Sequence, residues 1–177
     1  MYSNGEVPAL HAGLLIGRLV IGTLMAAHGT QKLFGWFGGY GLAGTGGYFE
    51  QLGFRPGRAF AAAASLTEIT AGTLIALGFL GPIGPALLLS VMIVAAVSVH
   101  WGHGLFATTN GIEVPLLYGT AALMLALTGP GAYSLDALLG LQRLWTPGLE
   151  LGAIAAGVLG GVVNLAGRRR VPTMSKA

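Results

Sequence analysis

Five long apolar segments, at 12–34, 59–80, 83–99, 114–128 and 149–166, set the pattern of this chain. Most approach the roughly 20 residues that a helix needs to cross a bilayer core. Each is predicted to be a transmembrane helix. The first contains LLIGRLVIGTLMAAHGTQKLF and carries Arg18, His28 and Lys32. At about 100° per residue, Gly22, Met25, Gly29 and Lys32 fall within about 40° of Arg18, and His28 falls about 80° away. The opposite face is Leu, Ile, Val and Ala. An ionisable side chain in hydrocarbon costs at least about 2.5–3.5 kcal/mol, so this face is predicted to look toward protein or water.

The second segment holds Glu68 near its middle, with Ala61, Ala64, Ser65 and Gly72 on the same face. Small residues let helices approach closely in lipid, so Gly22, Gly29 and Gly72 are predicted packing positions. The third segment has no charge and ends in His100-Trp101-Gly102-His103. The fourth follows Glu113, tolerates Pro115 in its first turn and stops at Gly129-Pro130-Gly131. The fifth carries Ala153, Gly157 and Gly161 at intervals of four, a helix-packing row open to a second copy or a partner.

Between the first two segments lies a glycine- and aromatic-rich loop, 35–58, with a short interfacial helix predicted at 48–54. Its Gly39-Tyr40-Gly41-Leu42-Ala43-Gly44 has the form GxGxxG. It follows a membrane helix and opens no βαβ unit, so a phosphate-cradle reading is set aside. Ser134 is the predicted N-cap of a second short helix, on the membrane surface.

Composition agrees with this pattern. The 177 residues are 54% hydrophobic and 8% charged, where a soluble domain carries roughly 25% charge. Mean hydropathy is +0.74. The expected class is therefore all-α, a single polytopic membrane domain spanning 1–177. A net charge of +3 is too small and scattered for nucleic acid. The chain has no cysteine, so disulfides, thiolate metal sites and thiol relays cannot be built from it alone. No metal site is assigned. The N-terminal stretch lacks the basic region of a cleaved signal peptide.

With five spans, Lys32, Arg55, Arg58 and the basic tail 167–177 fall on one side, and Arg143, Glu6 and Asp136 on the other. The positive-inside rule then predicts an outer N-terminus and a cytoplasmic C-terminus; the expected location is the cell inner (plasma) membrane.

Two groups of side chains are candidates for chemistry. Arg18 lies six to eight residues from the outer end of its span, and Glu68 about twelve from the outer end of the next. The axial offset is then roughly 6–9 Å at 1.5 Å per residue. An Arg18–Glu68 pair is the expected neutralisation. It reads either as a register-setting ion pair or as a proton-linked or substrate-binding carboxylate. Pairing with His28 or Lys32 is the remaining option. The second group is His28, Lys32, His100, His103 and Glu113, expected at the cytoplasmic side as a ligand-binding cluster. Histidines with a carboxylate suit a metal, a quinone or a haem propionate; the structural reading is ordinary interfacial histidines.

The motifs resemble the DoxX family. Arg18-x3-Gly22 followed by His28-Gly29-x2-Lys32-Leu33 is similar to its first helix, and Glu68-x3-Gly72 with Gly78 to its second. Gly129-Pro130-Gly131-x-Tyr133-Ser134-Leu135-Asp136 is similar to its closing motif, so the resemblance covers about 14–139. It implies a four-helix membrane core with inward Arg, His, Lys and Glu. The C-terminal helix at 149–166 is additional. It also implies a subunit or accessory protein of a quinone-linked redox system in a lipid bilayer; the cofactor is left unassigned, with quinone the candidate, and redox proteins are the candidate partners. Alternatives are a proton-coupled small-molecule permease or exporter, and a purely structural membrane scaffold. No residue is assigned a catalytic role.

Overall fold

The computed structural model describes residues 6–169 and is helical throughout. Seven α-helices follow in order: α1 Glu6–Phe34, α2 Gly41–Gln51, α3 Gly57–Leu77, α4 Ile83–Ala95, α5 Glu113–Thr128, α6 Leu135–Leu138 and α7 Pro147–Ala166. Helix α4 continues through a π-helical turn, Ala96–His100, and a 3-10 turn, Trp101–His103. Four helical runs are long and apolar enough to cross a membrane: Pro8–Phe34, Gly57–Leu77, Ile83–His103 and Pro147–Ala166. Helix α5 is apolar but shorter, at 16 residues. The protein is a multi-pass bundle in a lipid bilayer.

Helix outsides carry Leu19, Val20, Leu24, Leu117, Leu127, Leu159 and Val163, all exposed. In water so much contiguous apolar surface is rare; in lipid it is the solvent-facing side. The buried core runs along the bundle axis through Leu14, Met25, Ala71, Ile75, Leu88, Leu89, Met92, Ala122 and Leu125.

The α1–α3 crossing sets the register. A Cβ on Gly22 would lie 2.5 Å from the Gly72 carbonyl, and one on Gly29 would lie 2.6 Å from the Ser65 carbonyl. Without side chains at these points the backbones touch, as small residues allow in membranes. Helix α3 ends at Gly78, whose φ of 63° is the left-handed cap that glycine adopts freely.

The row Ala153, Gly157, Gly161 is used inside the chain. A Cβ on Gly157 would lie 2.5 Å from the Ala86 carbonyl, and one on Gly161 would lie 3.0 Å from Ile93. Helix α7 thus packs on α4 by this face, which corrects the expectation that the row is open to a second copy. The additional helix is part of the bundle, packed along α4.

The connection 35–58 is more ordered than a loop. Helix α2 occupies Gly41–Gln51, earlier than the helix expected at 48–54, and buries Gly46 against α3 and Thr45 against α1, where its Oγ1 donates to Lys32 O. Glycine spacing hides this helix from pattern reading. Here the absent Cβ atoms let it approach: one on Gly46 would lie 3.1 Å from the Arg58 backbone. Helix α6 does begin at Ser134, whose Oγ accepts from Ala137 N. It does not simply lie on the surface, because Asp136 is wholly buried. At the opposite end Arg169 N donates to Gly53 O at 2.9 Å, joining the end of α7 to the α2–α3 turn. Arg170 and Lys176 of the basic tail lie outside the described residues. We call the end where α1 begins the near end, and the end holding α2 the far end.

Candidate functional site

The structure splits the intramembrane charges into two separate sites. Arg18 and Glu68 do not pair. Glycine contacts bring residue 22 level with 72–76 and residue 29 level with 65–69. Continuing this antiparallel register puts Arg18 beside Gly78, and a Cβ on Gly78 would overlap the guanidinium. From Gly78 back to Glu68 is ten residues, about 15 Å along the axis. The smaller offset expected from sequence assumed that the two spans begin level at residues 12 and 80. Glycine packing shifts that register, and Arg18 is left out of reach.

At the near end Arg18 is 2% exposed. Its Nη2 donates to the Tyr133 carbonyl, and its Nη1 makes a long 3.5 Å contact with Ala76 O. Asp136, missed as a site residue, organises the surrounding turn. Its carboxylate accepts from Leu80 N at 2.9 Å, Gly81 N at 2.7 Å and Trp145 Nε1 at 2.8 Å. Its own N–H donates to Gly78 O at 3.1 Å. Three donors on one buried carboxylate fix the α3–α4 turn, α6 and the start of α7 together. The signal was the Tyr133–Asp136 motif; what sequence could not give was its inward fold.

At the far end Lys32 Nζ makes an ion pair with Glu68 Oε1. Lys32 stands about one turn beyond the level of Glu68, within reach of its flexible stem. Glu68 is 1% exposed, and Oε2 has no partner among the described residues. Both side chains line a cavity of about 800 Å³ bounded by the end of α1, α2, α3, α4 and the end of α7. Its wall is mainly apolar and aromatic, including Tyr40, Tyr48, Phe49, Phe54 and Phe60. The polar groups are Gln31, Thr45, Gln51, Thr67, Ser90, Ser98, His100 and Asn164, which join the charged pair and the two tyrosine hydroxyls. A concave, mostly apolar space with a few placed polar groups is the usual form of a small-ligand site.

The π-helical turn contributes Ser98, Val99 and His100 to this wall. Such single-turn interruptions recur at functional sites. His100 Nδ1 lies 2.8 Å from Asn110 O. A carbonyl oxygen only accepts, so Nδ1 carries the proton and, in the neutral ring, Nε2 is an acceptor.

The five-residue ligand cluster expected from sequence does not form. Lys32 and His100 share the cavity, while His28, His103 and Glu113 do not line it. His28 is exposed on α1, edge-on to Tyr118 with ring centres 6.5 Å apart. The His103 carbonyl accepts from Thr109 Oγ1 at 2.7 Å. Glu113 Oε2 accepts from Ala107 N at 2.7 Å and so pins the loop before α5. The helical run of α4 reaches His103 through its π-helical and 3-10 turns, but of the two histidines only His100 lines the cavity. Among the described residues no three His, Asp or Glu side chains converge on one point.

Comparison with known proteins bears on this arrangement. The DoxX family profile matches residues 13–101, half of the chain. The chain belongs to the DoxX family. The matched stretch contains Arg18, Lys32, Glu68 and the whole α1–α3 contact, and it ends just after the π-helical turn. The Gly129–Asp136 motif and α7 lie beyond it. No curated protein and no solved structure matches the chain significantly.

Proposed function

We propose that this DoxX protein is a membrane subunit or accessory protein of a quinone-linked redox system, and that its far-end cavity holds the ligand. The observation that carries this reading is the ion pair Lys32–Glu68 set in the wall of an 800 Å³ aromatic cavity. An isoprenoid or alkyl chain suits the apolar wall, and a ring with oxygen substituents suits the charged pair. With no cysteine in the chain, any thiol or sulfur chemistry falls to a partner protein. In this reading the protein sits in the plasma membrane with the far end cytoplasmic, following its excess of Arg and Lys.

Binding is favoured over transport because the cavity wall runs from mid-bundle to the far end and does not reach Arg18. The proton-coupled permease remains the second reading, favoured by the buried, half-partnered Glu68. Purified protein in nanodiscs, titrated with decylquinone and decylhydroquinone, tests the first. A saturable rise in the unfolding midpoint is expected; no rise with either form would overturn it. Flux into proteoliposomes under a pH gradient, lost in Glu68→Gln, would instead establish the second. The orientation is tested by single cysteines at Arg55 and Leu138, both exposed. In spheroplasts an impermeant maleimide is expected to label only the second.

A further inference from the structure

We infer that the far end carries a headgroup site for an anionic phospholipid, built by Arg55, Arg58, Arg168 and Arg169. None of the four lines the cavity, so the inference does not depend on what the cavity holds.

The fold gathers these arginines from two distant segments. The end of α7 docks on the turn between α2 and α3. Arg169 N donates to Gly53 O at 2.9 Å, and Arg168 Nε donates to Leu52 O. Arg55 follows two residues after Gly53, so their Cα atoms are at most about 7 Å apart. Arg58 stands in the first turn of α3 with its stem against Gly46. All four side chains are exposed. The Lys32–Glu68 pair is the one ion pair among the described residues, so none of these arginines holds an acid. Glu50 is the acid of the α2–α3 hairpin, and its Oε1 accepts from Gly57 N at 3.1 Å. Glu113 pins the loop before α5. Like charges gathered in this way repel one another, and a bound anion removes the repulsion.

Phosphate is the anion that fits. The bond from Nε to Leu52 O orients the Arg168 guanidinium and leaves both Nη groups without a partner among the described residues. A planar guanidinium grips phosphate oxygens in pairs. The source is the bilayer, because α3 begins and α7 ends at this patch, and both are long and apolar enough to cross a membrane. The patch therefore lies level with the lipid phosphates, where basic clusters attract anionic lipid. Exposed Leu66 on α3 and Val162 and Val163 on α7 continue inward from it and offer apolar surface to the acyl chains. A topology signal requires only that basic residues lie on one side of the membrane. A site requires that they lie together, and the docking of α7 on the hairpin supplies that.

The test is native mass spectrometry of the full chain in detergent micelles, titrated with dioleoylphosphatidylglycerol, dioleoylphosphatidylcholine or glycerol 3-phosphate. The anionic lipid is expected to bind at least about tenfold tighter than the zwitterionic one, from several arginines each worth about fivefold. Arg58→Gln and Arg168→Gln should each lower its affinity about fivefold and leave phosphatidylcholine unchanged. Arg143→Gln, at the near end, should change neither. The deciding variant moves the charge without removing it: Arg58→Gln and Arg168→Gln combined with Gly102→Arg and Thr108→Arg, two exposed positions of the far end. It keeps the far-end charge and is expected to lose the preference. Arg55→Gln, with no hydrogen bond to lose among the described residues, carries the test if losing the Arg168 bond lowers the unfolding midpoint. Equal binding of the two lipids, or a relocated variant that keeps the preference, would overturn the site. Glycerol 3-phosphate bound as tightly as the lipid would overturn the bilayer as its source.

Discussion

Which cation serves Glu68 can be decided by a double-mutant cycle. Lys32→Met removes the ammonium and keeps most of the stem. Glu68 then stands in the bundle at 1% exposure with neither oxygen partnered. Removing one member of a buried ion pair costs about 3–5 kcal/mol. Lys32 keeps 32% of its side chain exposed, so water screens part of the interaction, and about half of that figure, roughly 1.5–2.5 kcal/mol, is expected. Replacing both partners by apolar residues removes the unpaired charge as well. Lys32→Met with Glu68→Leu should therefore lie within about 1 kcal/mol of wild type, or above it. The coupling energy is then about 1.5–2.5 kcal/mol. Arg18→Met provides the control. It is destabilising by itself, through its contacts to Tyr133 and Ala76. Combined with Glu68→Leu it should add within about 0.3–0.5 kcal/mol, as distant sites do. The assay is unfolding in mixed detergent micelles followed by far-ultraviolet circular dichroism. A Lys32–Glu68 coupling below about 0.5 kcal/mol, or an Arg18–Glu68 coupling above it, would refute the register on which both sites depend.

Other predictions use the same measurement. Asp136→Asn swaps an acceptor for a donor among three donors and should cost about 2–4 kcal/mol, while Trp145→Phe, which removes one of them, should cost about 1–2 kcal/mol. If the two cost the same, the carboxylate is not the hub of the near-end turn. Gly72→Ala places a methyl against the Gly22 carbonyl and the Ala26 backbone, and should cost about 1–3 kcal/mol by pushing α1 and α3 apart. Gly152→Ala, where nothing lies within 4 Å, is the neutral comparison. Gly157→Leu drives a side chain into Ala86 and should loosen α7, read as faster proteolysis of a site introduced after Ala166; unchanged proteolysis would mean that α7 is held elsewhere.

Hydrophobic patterning by itself determined that this is an all-helical membrane bundle, because long apolar runs with almost no charge have no other stable arrangement in water or lipid. It also determined most of the face of α1 that turns inward, although His28, expected on that face, is exposed. Leu14, Arg18, Gly22, Met25 and Gly29 are buried, since helical periodicity is a local property. Partner choice was not local. Whether Glu68 meets Arg18 or Lys32 turns on an axial shift of one turn between two helices. That shift is set by Gly22, Gly29 and Gly72 meeting backbone across the interface, which no pattern within one helix encodes. Asp136 reads in sequence as an acid of the short surface helix that Ser134 caps, yet it is buried by donors from Leu80, Gly81 and Trp145. Only the tertiary fold brings those donors to one point. The cavity depends on it equally: α2 supplies a wall from a glycine-rich stretch that reads as loop, and the π-helical turn contributes His100. The sequence sets how much charge the bundle must hide. Backbone contact between the helices decides which charges meet.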